Sequence, residues 1–235
     1  MTSRIPFVEL GLSADTSHAN NISELHPLTY LSNSDAHSPR RLGREFNVLE
    51  MEELSVGSLM DLLRGKRGRV VMNVGLPPQV GKYNESACAR CHKHYTLEEG
   101  DGSGWKCTCG GAVKKGVKDL VLELRDTSHV PQKPPYVAVP PLQDIIATAL
   151  GHSSVETKGV REVYEEMMGY AVETEILLNT PLEKIRALGG DRVAELIDMA
   201  RRGELSISPG GGGRYGKLLP GDPVEKRQSS LEKFF

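Results

Sequence analysis

The 235-residue sequence lacks three features that would assign it directly to a broad class of proteins. It has no run of about 18 apolar residues, which argues against a membrane-spanning helix. Its formal net charge is only −2, so no overall basic field indicates nucleic acid, and any DNA contact has to come from local patches. The first six residues lack the apolar core of a signal peptide. We therefore expect a soluble, intracellular, cytoplasmic protein with no membrane partner.

Aromatic residues are also scarce. They make up 5% of the chain and hydrophobic residues 38%, whereas the chain has 25 glycines and 14 prolines. This composition predicts a modest core interrupted by many loops. Only four cysteines are present, and all of them lie between residues 88 and 109. Such clustering indicates a metal site rather than dispersed disulfides.

The beginning of the chain predicts a strand, a helix and a second strand. Residues 7–15 (FVELGLSAD) alternate between apolar and polar and predict the first strand. Residues 20–26 predict the short helix, and residues 30–33 the second strand. Polar side chains gather near the carboxyl ends of these strands, which is the functional edge of parallel α/β folds. These residues are Ser13, Asp15 and Asn33.

The second predicted strand ends in the sequence Ser34-Asp35-Ala36-His37. Two residues apart on an extended chain, Asp35 and His37 would share one face. A carboxylate and an imidazole placed in this way are typical of a metal-dependent active site. The alternative is a surface turn, because the surrounding Asn, Ser, Asp and Pro residues all favour turns.

Three arginines follow this motif, namely Arg40, Arg41 and Arg44. Guanidinium groups match pairs of phosphate oxygens, so the arginines indicate phosphate binding, with a solvated basic loop as the alternative. The pattern then predicts a strand at residues 46–51, a helix at residues 55–64 with Ser55 as its cap, and a strand at residues 70–74.

The cysteines form two close pairs separated by fifteen residues. The members of the pairs are Cys88 and Cys91, then Cys107 and Cys109. Two thiol pairs across a short gap predict a tetrahedral Zn²⁺ site that is structural because its four positions are filled. The second pair is spaced by one residue rather than two, so His92 or His94 is an alternative to one thiol.

The remainder of the chain predicts an alternating strand at residues 117–124 and then a mainly helical region. Residues 129–141 contain five prolines and predict an extended connector. The predicted helices are residues 142–151, 153–178, 181–188 and 192–202. In the last of these, helical spacing predicts a buried stripe of Val193, Leu196, Ile197 and Ala200. The last two, joined by Gly189-Gly190, indicate either a plain helical hairpin or a DNA-binding helix-hairpin-helix. The glycine-rich residues 208–217 are expected either to wrap a DNA backbone or to form a flexible turn.

The last eight residues, QSSLEKFF, have an unusual apolar pattern. A helical turn would place Leu231, Phe234 and Phe235 on one side, with Gln228 as a polar anchor. Two phenylalanines at the end of a polar tail indicate a partner that receives them. The pattern matches the box by which repair and replication proteins bind the sliding clamp PCNA.

Together these motifs resemble the endonuclease Q family of the polymerase-and-histidinol-phosphatase (PHP) superfamily. The resembling segments are PFVELGLSAD, SELHPLTYLSNSDAHSPRRLGREFN, GRVVMNVGLPPQVGKY, the cysteine stretch, AVPPLQDIIATALG and SPGGGGRYGKL. The resemblance implies a DNA endonuclease, associated with the nucleoid and with the clamp, that nicks 5′ of hypoxanthine, uracil, xanthine or an abasic site. It implies an α/β fold in which a PHP-type barrel segment precedes a small zinc-binding domain and an all-α C-terminal domain.

The resemblance also assigns parts and residues. The predicted parts are residues 1–80 (end of the barrel), 81–128 (zinc-binding module), 129–141 (connector), 142–219 (helical domain with the glycine-rich turn) and 220–235 (linker and clamp-binding tail). Asp35 and His37 match the family's last pair of ligands for divalent metal (Zn²⁺, Mg²⁺ or Mn²⁺) in the barrel cleft and are the candidate catalytic residues. Ser13, Asp15 and Asn33 are candidates for lining the cleft.

One departure from the family pattern affects the functional prediction. The family barrel opens with an H-x-H strand and contributes further His and Glu ligands, and this sequence has no such strand near its beginning. The first hypothesis is a C-terminal half of a repair nuclease that needs an N-terminal PHP half as its partner. The second hypothesis is a non-catalytic, clamp-tethered DNA-binding adaptor with a vestigial active site.

Overall fold

The structure is a computed structural model that describes residues 6–220. The described residues divide into two compact units, the first containing residues 6–137 and 209–216 and the second residues 138–208 and 217–220. The boundary at residue 137 lies inside the predicted connector. We expected the glycine-rich segment to group with the helices of the second unit. It instead belongs to the first unit. The reason is a set of backbone hydrogen bonds to residues 79–85, for example from the Gly210 N–H to the Gln79 carbonyl (2.8 Å).

The first unit begins with a parallel pair of short strands, β1 (Phe7–Glu9) and β2 (Thr29–Leu31). Helix α1 (Thr16–Ala19) lies between them in the chain. The prediction of one strand over residues 7–15 was too long. Gly11 has a φ of +70°, which ends the strand, and Asp15 caps α1, so Ser13 and Asp15 are not strand residues.

A separate three-stranded sheet has the order β3-β4-β7, formed by β3 (Phe46–Glu50), β4 (Arg69–Gly75) and β7 (Tyr136–Ala138). β3 and β4 are antiparallel and are joined through helix α2 (Val56–Leu63). The predicted Ser55 cap is confirmed, because its hydroxyl accepts from the Ser58 N–H (3.1 Å). The residues that the structure describes thus contain separate small sheets rather than a closed barrel, and the overall class is mixed α/β.

The cysteine region contains β5 (Ala87–Cys88), α3 (Leu97–Gly102), β6 (Val113–Lys114) and α4 (Val117–Leu124). The strand predicted at residues 117–124 was wrong, since this segment is α4. Its apolar residues also fit helical spacing, and the first N–H groups of the helix donate to the carbonyls of Tyr83 and Asn84 (2.8 and 3.0 Å).

The second unit packs five helices, α5 (Leu142–Ala149), α6 (Lys158–Tyr170), α7 (Glu173–Leu178), α8 (Leu182–Gly189) and α9 (Asp191–Arg201). The single helix predicted over residues 153–178 is two helices, because Ala171 and Val172 adopt extended backbone angles. An antiparallel pair, β8 (Ile207–Ser208) and β9 (Lys217–Leu218), also belongs to this unit, so it is not entirely helical. Among residues 6–220, no helix has both the length and the apolar character needed to cross a bilayer.

The core of the second unit comes from the apolar stripes that the spacing predicted. On α9, the predicted residues Val193, Leu196, Ile197 and Ala200 are all buried. They pack with buried residues of the other helices, which are Leu142, Ile145, Ile146, Val160, Met167, Ile176 and Ile185.

Candidate functional site

The Asp35–His37 motif follows β2 directly, but it is not extended. Asp35 has a φ of +40°, a left-handed value that is uncommon outside glycine and for which Asp is one of the tolerated residues. The two side chains still face each other, with Oδ1 of Asp35 3.9 Å from Nδ1 of His37. The structure therefore brings the predicted pair together by a turn rather than by the alternation of a strand.

The His37 ring has a defined orientation. Its Nδ1 lies 2.8 Å from the backbone carbonyl oxygen of Asp35, and since a carbonyl only accepts, Nδ1 carries the proton. The lone pair is then on Nε2. Metal-binding histidines in proteins usually donate their other ring N–H to a carboxylate or carbonyl in this manner, which fixes the tautomer. His37 thus has the orientation of a ligand that binds through Nε2.

Asp35 and His37 alone do not furnish a metal centre. Their side chains are 67% and 75% exposed, and the described residues place no third donor with them. Phosphodiester cleavage by metals requires more ligands than one carboxylate and one imidazole. The pair fits part of a coordination shell, and no catalytic step through a metal follows from these residues alone.

A buried polar network supports the start of this segment, and the sequence did not point to it. The Asn47 side chain bonds both the N–H and the carbonyl of Ser32 (2.9 Å each). The Asn73 amide donates to Asn47 (2.7 Å) and to the Tyr30 carbonyl (3.1 Å). The strand ends of β2, β3 and β4 are therefore joined through side chains. Asn73, the one amide within the run VVMNVG, is the signal that sequence reasoning missed.

Glu45 is the charged member of this network and is only 3% exposed. Its carboxyl group accepts from the Leu76 N–H (2.9 Å) and from the Ser32 hydroxyl (3.0 Å). Burial raises the pKa of Glu45 above its ordinary value, although these two hydrogen bonds act in the opposite direction. Burial and the nearby charge of Glu45 also raise the pKa of Tyr136, whose hydroxyl donates to the Leu76 carbonyl (2.8 Å).

The other predicted cleft residues have separate surroundings. Asn33 is exposed, and Ser13 lies against Gly81, where a Cβ atom would collide with the Ser13 hydroxyl. Asp15 accepts from Nδ1 of His18 (2.7 Å) and from the Ser17 hydroxyl (2.6 Å). Burial opposes ionisation of Asp15, but these hydrogen bonds prevail and lower its pKa. Asp15 is thus an ionised helix cap.

Asp15 also lines a cavity of about 380 Å³ together with Thr16, Asn20 and Tyr136. The buried side-chain oxygens Oγ1 of Thr16 and Oδ1 of Asn20 have no hydrogen-bond partner among the described residues. Both oxygens are buried, and Asp15, Thr16 and Asn20 give the cavity a partly polar lining, which suits a polar ligand.

The two predicted phosphate-binding arginines whose side chains the structure describes have different contacts. Nε of Arg44 donates to the Ser34 carbonyl (3.2 Å) and so positions the residue before Asp35. The guanidinium carbon of Arg41 lies 5.8 Å from the ring centroid of Tyr215. The side chain of Arg40 lies outside the described part of the structure.

The four cysteines lie together as the spacing predicted, in a cluster that could hold a metal ion. Their sulfur atoms all lie within 4.8 Å of one another, and the pairs Cys88–Cys109 and Cys91–Cys107 are both 3.5 Å apart. Such separations are too long for disulfides, whose S–S bond is about 2.05 Å. They are close to the roughly 3.8 Å between thiolates bound tetrahedrally at about 2.3 Å from Zn²⁺. The donor set therefore fits a four-coordinate metal ion.

The alternative of a histidine ligand is not supported. Nδ1 of His94 faces Glu85 (3.1 Å), and His92 is not a member of the cluster. A residue that sequence reasoning missed is Tyr95, whose side chain hydrogen-bonds to Cys107. This bond is the main reason that the pKa of Cys107 falls to about 6, and it raises the pKa of Tyr95 to about 12. Tyr95 therefore favours the thiolate form that binds metal.

The predicted clamp-binding residues Gln228, Leu231, Phe234 and Phe235 lie outside the described residues, and the tail remains a prediction.

Comparisons with known proteins agree with the resemblance. Residues 141–204 match the family described as the MJ0043 C-terminal domain. The chain is 41% identical, with a TM-score of 0.83, to the crystal structure of the lesion-specific endonuclease PfuEndoQ from Pyrococcus furiosus, over 97% of this chain. The chain is similar to endonuclease Q over nearly its whole length. A second endonuclease Q structure, in complex with a 27-mer duplex substrate with an abasic lesion at the active site, is 40% identical over 94% of the chain, with a TM-score of 0.85.

The chain spans only part of these relatives. It covers 57% and 58% of the two endonuclease Q chains. It also covers 28% of the uncharacterized protein MJ0043 of Methanocaldococcus jannaschii, to which it is 43% identical over 223 residues. The similarity thus extends over nearly the whole of this chain, but the chain corresponds to a portion of each relative.

Proposed function

We propose that this chain is part of a metal-dependent DNA repair endonuclease that nicks DNA 5′ of deaminated bases (hypoxanthine, uracil or xanthine) or of abasic sites. The observation that carries the proposal is its likeness, over 94% of the chain, to an endonuclease Q bound to a duplex with an abasic lesion at the active site. DNA is accordingly the proposed partner, in the cytoplasm at the nucleoid.

Asp35 and His37 are the proposed ligands that this chain contributes to the catalytic metal site. The Nδ1–H bond to the Asp35 carbonyl supports this role because it leaves Nε2 of His37 available. The remaining ligands would come from the portion of the relatives that this chain does not span. Divalent metal (Zn²⁺, Mg²⁺ or Mn²⁺) would supply activation of water and charge stabilisation there. Arg44 would hold the ligand segment in place through Ser34.

The cavity beside Asp15 is the proposed receptor for the extruded nucleotide. Enzymes that act beside one nucleotide of a duplex generally take it out of the base stack. The cavity's volume of about 380 Å³ and its partly polar lining by Asp15, Thr16 and Asn20 support this assignment. Ser13 and Asn33, which do not line this cavity, are proposed to line the catalytic cleft.

Zn²⁺ is the proposed occupant of the cysteine cluster. Four sulfur donors and no open position are typical of structural zinc, so the ion would stabilise the knuckle and take no part in cleavage.

The clamp-binding tail is proposed from the sequence alone. Leu231, Phe234 and Phe235 would enter an apolar groove of PCNA, with Gln228 as the polar anchor. Such docking would keep the nuclease at replicating DNA.

The second candidate is a non-catalytic adaptor that binds DNA and the clamp. The exposure of Asp35 and His37, together with the lack of a third donor among the described residues, favours it. On this alternative the chain binds lesion-containing DNA but supports no cleavage under any condition.

A nicking assay separates the two candidates. The substrate is a duplex with one inosine, supplied with Mg²⁺ or Mn²⁺, and the chain is tested alone and with a polypeptide carrying the family's H-x-H strand. We expect nicking only in the combined reaction. Asp35→Ala and His37→Ala should abolish it. His152→Ala should leave it unchanged, because His152 is also an exposed histidine but has no proposed role. Nicking that persists with Asp35→Ala would sink the proposed site.

A further inference from the structure

A cluster of cationic and aromatic side chains near the glycine-rich segment has no role in the chemistry described so far. It consists of Arg41, Lys82, Tyr83 and Tyr215, and we call it the Arg41–Tyr215 cluster. The guanidinium carbon of Arg41 is 5.8 Å from the Tyr215 ring centroid, and Nζ of Lys82 is 6.0 Å from the same ring and 5.3 Å from that of Tyr83. All four residues belong to the first unit.

The glycine-rich segment holds Tyr215 rigidly in this cluster. The N–H groups of Gly213 and Gly216 donate to the carbonyls of Lys82 and Val80 (3.0 and 2.9 Å). A Cβ atom on Gly210 would collide with the Gly81 carbonyl oxygen, so only glycine permits this close approach. A segment that binds along residues 80–85 in this way is not a flexible turn. It fixes an aromatic ring beside two cations that lie far from it in the sequence.

The two tyrosine rings are exposed, and the two cations have no ion-pair partner among the described residues. The Tyr83 and Tyr215 side chains are 44% and 39% exposed. Within residues 6–220, neither Arg41 nor Lys82 has a carboxylate partner in an ion pair. The neighbouring carboxylate, Glu85, is already bound to Lys118 (2.8 Å) and His94 (3.1 Å). The surface therefore presents positive charge and aromatic faces without a compensating anion.

Arg41 already lies over the Tyr215 ring, because the 5.8 Å between its guanidinium carbon and the ring centroid is within the range of a cation–π contact. A planar guest could enter between the two groups if the partly buried Arg41 side chain moved away from the ring. Nucleobases stack on both tyrosine rings and arginine planes.

We propose that Arg41 and Tyr215 receive an unpaired nucleobase of a DNA strand between them, while Lys82 holds an adjacent phosphate. The inference rests on the proposed function, since it assigns the DNA-strand contact of the same nuclease. An aromatic ring flanked by positive charges suits an unpaired or distorted DNA strand, whose base faces are accessible. In an intact duplex the faces of the bases are covered by their neighbours. The Arg41–Tyr215 cluster would thus favour DNA that has lost a base pair.

The test uses the full chain and a single-stranded oligonucleotide containing 2-aminopurine, whose fluorescence falls when the base stacks. We expect quenching and binding by the wild-type protein and roughly tenfold weaker binding, with quenching lost, for Tyr215→Ala and Arg41→Ala. Tyr215→Phe keeps the ring and should restore both signals to within about twofold. Tyr170→Ala is the matched control, because Tyr170 is 49% exposed and has its own cation, Lys184, at 4.7 Å.

The outcomes are separable from those of the nicking assay. Quenching that survives in Tyr215→Ala, or that is absent in the wild type while nicking of the inosine duplex occurs, would overturn the stacking contact and leave the nuclease assignment intact. Quenching that depends on Tyr215 in a protein that never nicks would retain the strand contact and contradict the nuclease. The metal content of the cysteine cluster serves as the folding control for the variants. A variant supports the stacking contact only if it loses DNA binding while its metal content is unchanged.

Discussion

Glu45 offers the sharpest stability prediction. Replacing it by alanine leaves the Leu76 N–H and the Ser32 hydroxyl without the partners that lie 2.9 and 3.0 Å away. Each buried unsatisfied group costs about 1–3 kcal/mol, so Glu45→Ala should destabilise the first unit by roughly 2–6 kcal/mol. Glu45→Gln preserves an acceptor for Leu76 and a partner for Ser32, and it should cost about 1 kcal/mol or less at neutral pH.

The pH dependence of the two proteins adds an independent check. Burial raises the pKa of Glu45 in the folded state, so its contribution to stability is complete below the unfolded-state pKa of about 4.3 and is lost as the pH rises through the folded-state value. Glutamine cannot ionise. The stability of Glu45→Gln relative to the wild type should therefore increase with pH across that window.

The assay is urea unfolding followed by the fluorescence of Trp105, the chain's single tryptophan, which belongs to the same unit as Glu45. A Glu45→Ala protein as stable as the wild type would refute the network argument. A wild-type advantage over Glu45→Gln that grows with pH would refute the assigned direction of the pKa.

Two further predictions concern the cysteine cluster and the C-terminal tail. Cys107→Ser should reduce bound metal, measured by elemental analysis, from about one ion per chain to nearly none, while His94→Ala should retain it because His94 faces Glu85; a purified wild-type protein without zinc would contradict the assignment. Changing Phe234 and Phe235 to alanine should abolish retention by PCNA in a pull-down, whereas Lys233→Ala, at a position of the box that is not an anchor, should not; equal retention of all three proteins would refute the clamp-binding tail.

Features encoded by local spacing were predicted correctly from the sequence. The cysteine pairs, the Ser55 cap and the buried stripe of α9 each depend on residues a few positions apart, and the structure confirms them. The Asp35 and His37 side chains also lie close together, although through a left-handed turn rather than a strand, and their role as metal ligands stays a prediction. Short apolar patterns were less informative, since residues 117–124 satisfy both strand alternation and helical spacing.

Features that depend on distant residues were not predictable. Glu45 is a candidate for the site's support only because Ser32 and Leu76 fold against it. The position of Tyr215 likewise depends on backbone bonds between the glycine-rich segment and residues 80–85, which leave no local pattern. Tyr95 reaches Cys107 across the knuckle in the same way. Tertiary contacts, rather than propensity, decide these positions.

The position of the nick tests the central claim most directly. A duplex labelled at one end and carrying a single hypoxanthine is incubated with the chain, its complementing PHP polypeptide and Mg²⁺ or Mn²⁺, and the product is sized to single-nucleotide resolution. We predict one product, cut immediately 5′ of the lesion and absent from the undamaged strand. Cleavage elsewhere, cleavage of undamaged DNA, or DNA binding without any cleavage would contradict the assignment of this chain to a lesion-specific endonuclease.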